Sequence, residues 1–145
     1  MDRMSEKKPV FTFPQLLKAE IGEIERVAEY VGEPAQTFVP RFLQATLPKY
    51  ERSQFIDLDE QLWSQLKNTD SVDVAKGGWD TVRRECEGKR DWQSIRKLLE
   101  TGGRIDAPII VKLPNEYHLV SGNTRLMCAK ALGIVPKVLI VDLSR

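Results

Sequence analysis

The sequence predicts an α+β fold, a small mixed sheet with packed helices and an N-terminal helical extension. Three observations predict it. Ile109, Ile110 and Val111 form a β-branched run between Pro108 and a Pro114-Asn115 turn signal, and Tyr117 to Val120 follows closely enough to pair with it as a hairpin. Leu126, Ala129 and Leu132, with Met127 and Ala131, then recur at helical spacing up to Gly133, a residue suited to the left-handed position past a helix end. Val138-Leu139-Ile140-Val141 is apolar without alternation, as a strand buried on both faces should be. The expected sheet holds residues 108–113, 117–120 and 137–143, with residues near 11 as a further strand. The N-terminal helices are expected to cover a face or an edge.

The chain has 145 residues, enough for one domain with its own core. A composition of 41% hydrophobic and 30% charged residues fits a soluble globular protein. The formal net charge of +1 excludes a globally basic nucleic-acid binder and leaves room for a local patch. Cys86 and Cys128 stand in no metal-ligand or Cys-x-x-Cys spacing, so reduced thiols, no protein-held metal and a cytoplasmic location are expected. There is no apolar signal core and no membrane-length run, so no membrane partner is expected.

Taken in order, residues 1–10 read as a polar, flexible tail, and 11–67 as an N-terminal helical region. Phe11 to Phe13 suggests a short strand. Leu17, Ile21, Ile24, Ala28 and Val31 predict a helix over 14–31, ended by Gly32 and Pro34, with Glu20, Glu23, Glu25 and Glu29 on a solvated face. A second helix is expected between Ala35 and Leu47, where Phe38 and Phe42 share a face. Leu47 to Arg52 reads as extended or looped, because the residue before a proline avoids the helical region. Asp57 or Asp59 can cap a helix to about Lys67.

Residues 68–91 read as a basic, Trp-containing insertion, and 92–145 as the core. A helix is expected over Thr81 to Glu87, and Asp91 caps another that Gly102-Gly103 ends. Residues 76–97 hold seven cations (Lys76, Arg83, Arg84, Lys89, Arg90, Arg96 and Lys97) against four acids, with Trp79 and Trp92 between them. Such a stretch can grip nucleic-acid phosphates and stack bases, which makes Lys76, Arg83, Arg84, Lys89 and Arg90 candidate contacts. The alternative is that both Trp side chains anchor the core and the charges face water.

The candidate site is Ser121-Gly122-Asn123-Thr124-Arg125, where a strand turns into a helix. Gly122 permits a sharp turn and close approach of a ligand to the main chain. Asn123 or Thr124 is the expected N-cap. The first N–H groups of a helix lack internal partners and carry its positive dipole end, which suits a phosphate, and Arg125 adds a charged fork. Strand–Gly–helix junctions also occur where nothing binds. His118, the one histidine, is a candidate general base, with a partly exposed structural role as its alternative. Ser121 lacks the Gly-x-Ser-x-Gly surroundings of a hydrolase nucleophile.

These pieces, in order, are Ser94-Ile95, Gly102-Gly103, Pro108-Ile109-Ile110-Val111, Tyr117-His118-Leu119-Val120, Gly122-Asn123-Thr124-Arg125, Ala129 to Gly133 and Pro136-Lys137-Val138. Together they resemble the ParB/sulfiredoxin superfamily over residues 94–143, about a third of the chain. Pro48 and Arg52, with Phe55, resemble more weakly the family's upstream Pro-x-x-x-Arg box. The resemblance implies a ParB-like domain of the small phage or mobile-element kind, with nucleotide phosphates bound at Ser121 to Arg125. The implied cofactor is a nucleoside triphosphate, CTP or ATP, with magnesium. NTPase, kinase or nuclease-like chemistry is the reaction class it suggests. Asp106, in the loop Arg104 to Ala107, becomes a candidate catalytic residue or support for a magnesium-bound water.

Departures narrow these expectations. Asn123 stands where sulfiredoxins carry their reactive Cys, which excludes sulfinic-acid reduction in this alignment. Asn123 and Thr124 replace the Glu and first Arg of the ParB Gly-Glu-Arg-Arg turn, so nucleotide binding is expected more than turnover. No helix-turn-helix follows the last strand, so the likeness is to the ParB domain and not to a full partition protein. The alternative expectation is a non-catalytic DNA- or protein-binding module that keeps the fold. Oligomeric state is not legible in the sequence.

Overall fold

The computed structural model describes residues 9–14, 16, 18–52, 55–68, 78–88 and 91–144. Seven strands and six helices follow one another among them: β1 (Val10–Thr12), α1 (Lys18–Val31), α2 (Ala35–Arg52), β2 (Ile56–Asp57), α3 (Glu60–Gln65), β3 (Leu66–Asn68), α4 (Trp79–Cys86), α5 (Trp92–Thr101), β4 (Arg104–Asp106), β5 (Ile109–Lys112), β6 (Tyr117–Ser121), α6 (Asn123–Leu132) and β7 (Lys137–Asp142). The fold is mixed α+β. A five-stranded sheet has the order β2-β7-β5-β6-β3, with β5 parallel to β7 and antiparallel to β6. None of the described helices is long and apolar enough to cross a membrane.

The alternation of side chains along each strand sorts the sheet into two apolar layers. Ile110, Leu119 and Val138 point to one face, where they meet Trp63, Val82, Trp92, Leu126, Met127 and Ala129 from α3 to α6. Ile109, Val111, Val120, Leu139 and Val141 point to the other, against Ile24, Val27 and Ala28 of α1 and Phe38 and Phe42 of α2. The central strands β5 and β7 are buried on both sides by this arrangement, and for that reason they read as unbroken apolar runs. Phe38 and Phe42 are fully buried, with ring centroids 6.4 Å apart. Each contributes about 1.5–3 kcal/mol of transfer free energy relative to an exposed ring.

Several expectations need correction. Residues near 11 do not join the main sheet: β1 pairs in parallel with β4 as a separate two-stranded ribbon, Phe11 opposite Ile105. Residues 104–106 are thus a strand, not a loop. The main sheet instead gains β2 and β3 at its edges, elements too short to leave a periodic signal. Helix α2 runs through Pro40 and Pro48 to Arg52, where a loop was expected. Each proline removes a helical bond to the carbonyl four residues back. Those carbonyls belong to Gln36 and Gln44, both exposed, so water can take the place of the lost bond.

Helix α1 begins at Lys18, and Leu17 of its expected apolar series lies outside the described residues. Val31 is exposed and Val27 is buried in its stead. The caps hold more closely. Asp59 accepts the Leu62 N–H at 2.9 Å, and Asp91 accepts the Ser94 N–H at 3.2 Å. Gly32, Gly102 and Gly133 end their helices at φ 78°, 77° and 73°. Helix α4, within the expected insertion, packs through Val82 and Cys86 into the same apolar layer as α5 and α6.

Candidate phosphate-binding site

Strand β6 and helix α6 meet at Gly122, with φ 116° and ψ 24°. The Leu126 N–H donates to the Gly122 carbonyl at 2.9 Å, so Gly122 is the N-cap and the helix begins at Asn123. This corrects the expected cap at Asn123 or Thr124. Both of those side chains are turned inward, 8% and 6% exposed, and Thr124 Oγ1 lies 3.8 Å from Cys86 Sγ. They can offer a ligand their main chain but not their side chains.

The glycine at 122 has a reason in packing. A Cβ there would lie 2.6 Å from Pro108 Cβ and 3.0 Å from its Cα. The space above Gly122 is therefore filled by Pro108, where ligand room was expected.

Arg125 is held in the first turn of α6. Its Nη1 donates to the Asp106 carbonyl at 2.7 Å and its Nη2 to Ser121 Oγ at 3.1 Å. Burial pulls its pKa below the ordinary guanidinium value, and the nearby charges of Asp106 and Glu20 oppose that shift. No carboxylate among the described residues lies within ion-pair distance of it. The Asp106 carboxylate accepts the Thr12 hydroxyl at 3.2 Å, which ties β1 to β4 beside the turn. The structure thus brings Asp106, Ser121, Gly122 and Arg125 together, and it adds Thr12 and Glu20. Glu20 had only the signature of a solvated helix face, and the proximity of Thr12 depends on a ribbon whose strands lie more than ninety residues apart in the chain.

His118 is not part of this group. Along β6 it points to the α1 face, away from α6, and it is fully buried where partial exposure was expected. Its Nδ1 lies 3.1 Å from Glu116 Oε2 and its ring centroid 4.6 Å from that of Tyr30. Its Nε2 has no hydrogen-bond partner among the described residues. This burial follows from β6 being covered by α1, a contact the strand pattern alone does not reveal.

The basic stretch offers no open stacking platform among the described residues. Trp92 is buried, and its ring sits 5.9 Å from that of the half-buried Trp79. The Arg96 guanidinium covers the Trp79 ring at 4.2 Å. Arg83 pairs with Asp80 at 2.5 Å and Arg84 with Glu85 at 3.5 Å. Lys76, Lys89 and Arg90 lie outside the described residues. Among the described residues no group of three or more His, Cys, Asp or Glu is disposed to hold a metal ion.

Comparison with known proteins gives no match to this chain among family models, curated proteins or solved structures.

Proposed function

We propose that this chain is a ParB-like nucleotide-binding domain protein, with the phosphates of a nucleoside triphosphate, CTP or ATP, held at the Gly122–Arg125 turn. One observation carries the reading. Arg125 is largely withdrawn from water, yet its two bonds go to neutral acceptors, the Asp106 carbonyl and the Ser121 hydroxyl. A guanidinium in such a position carries a desolvation cost that an anionic ligand at the same helix start would offset. Ser121 Oγ is within reach of the same anion, and Asp106 is the carboxylate available to the water shell of an accompanying magnesium ion, which would screen the phosphate charge.

A second reading, a non-catalytic module that binds DNA or another protein, is favoured by the position of His118. With that ring buried on the far face, Asp106 is the one of the two candidate bases left near the turn, and it already accepts the Thr12 hydroxyl. Binding without turnover is the form in which both readings agree.

Calorimetry with CTP, ATP, GTP and UTP, with and without magnesium, tests the site on wild type, Arg125→Lys and Arg125→Ala. One nucleotide should bind, more weakly with lysine, which keeps the charge and loses the fork, and not at all with alanine. Circular dichroism checks that each variant is folded. Absence of binding by the folded wild-type protein refutes the nucleotide reading.

A further inference from the structure

We infer that the cleft between the α1–α2 turn and the β5–β6 turn binds a small organic cation, an ammonium or guanidinium on a short apolar stem. This site is separate from the Arg125 turn. It lies at the opposite end of β6, about 14 Å along the strand at the usual rise per residue.

The cleft encloses about 610 Å³, within the range of small-molecule sites. Its floor has a small apolar part, formed by Leu113 and Leu143, each 7% exposed, over the fully buried Phe38. Tyr30 stands in its wall with 53% of its surface exposed. An aromatic ring this open on a folded surface presents a negative face to a cation. The ring is not loose, because it packs on the buried His118 ring at 4.6 Å.

The charged groups lining the cleft are two carboxylates, Glu33 and Glu116, and one cation, Arg41, which leaves an excess of one negative charge. Glu116 lines it and has no Lys or Arg within ion-pair distance among the described residues; its one such contact is His118 Nδ1 at 3.1 Å. The turn that carries Glu116 is closed by the Leu113 N–H, which donates to the Glu116 carbonyl at 2.8 Å. Glu33 also lines the cleft, but Arg41 at 3.0 Å already neutralises it. Aromatic face, a carboxylate with no Lys or Arg partner among the described residues, and the apolar part of the floor are thus fixed before any ligand arrives, which lowers the ordering cost of binding. The occupant they fit has a positive end for Tyr30 and Glu116 and a hydrocarbon stem for the floor. Neither a phosphate nor a neutral sugar meets that description.

The test is an NMR titration of the full chain with n-pentylammonium, with n-pentanol as the uncharged isostere and an acetylated Gly-Lys-Gly amide as a lysine presented by a peptide. Saturable amide shifts are expected at Tyr30, Val31, Asn115 and Glu116 with the ammonium and not with the alcohol. Tyr30→Ala, which also uncovers one side of the buried His118 ring and is therefore checked for folding by circular dichroism, is expected to weaken binding about tenfold. Glu116→Gln should weaken it further and remove its salt dependence. Equal binding of the alcohol, shifts elsewhere, or an unchanged affinity in Tyr30→Ala would overturn the inference. So would binding of the peptide where the free ammonium does not bind, which would mark the cleft as a protein-docking site.

Discussion

Gly122→Ala probes the joint on which the candidate site is built. Two separate penalties are expected. The backbone at φ 116° lies where an L side chain is strained, at about 1–2 kcal/mol. The added methyl would also sit 2.6 Å from Pro108 Cβ and 3.0 Å from its Cα, the latter a backbone atom that cannot swing aside. Overpacking of that kind costs about 1–3 kcal/mol. Together they give a loss of about 2–5 kcal/mol. For 145 residues the unfolding entropy converts 1 kcal/mol into about 3 °C, so Tm should fall by roughly 7–16 °C. Urea unfolding, followed by circular dichroism with the slope held to the wild-type value, measures the loss directly. The two penalties separate in a double-mutant cycle with Pro108→Gly, which removes the Cβ that makes the shortest contact. In that background Gly122→Ala should lose most of the steric part and retain the backbone strain of about 1–2 kcal/mol. A wild-type-background loss below about 1 kcal/mol, or a cycle with no coupling, would refute the packing argument for this glycine.

Other outcomes follow from the same geometry. Burial pushes the Cys128 thiol up to about 12 from 9.0, with the nearby Cys86 adding to the shift. An acid whose folded pKa is raised stabilises the fold below its unfolded value, and that stability is lost as pH rises from about 9 toward 12. Cys128→Ala should flatten this alkaline limb, read by urea unfolding at a series of pH values. Asp91 is held below the usual carboxylate range by the Ser94 hydroxyl and then the Ser94 N–H. Its contribution is present above the unfolded carboxylate value and is lost as pH falls through the lower, folded one. Asp91→Asn keeps a cap and should abolish that acid step in the amide exchange of α5, whereas a persistent step would assign it elsewhere. Ile110→Ala, at a fully buried position in the central strand, should cost about 2–5 kcal/mol by denaturant unfolding.

What the sequence by itself determined is what short-range physics encodes. The β5–β6 hairpin follows from the β-branched run Ile109 to Val111 and the short run Tyr117 to Val120 on either side of Pro114-Asn115, α6 from its apolar spacing, and its end from Gly133. The caps at Asp59 and Asp91 follow from residue types whose oxygens reach an N–H three positions on. The gathering of Ser121, Gly122 and Arg125 was legible too, since all three lie within one turn of chain. What only the tertiary structure decided depends on which surfaces meet. The parallel pairing of β1 with β4 brings Thr12 to Asp106, and no local pattern carries a pairing across that separation. The covering of β6 by α1 buries His118 and removes it from the Gly122–Arg125 turn, although its residue type suggested chemistry. The approach of Pro108 decides why position 122 must be glycine, which the sequence could read only as freedom of the backbone. In each case the residue type limited what a side chain could do, and the long-range packing, settled by the burial of two apolar layers on one sheet, chose among those roles.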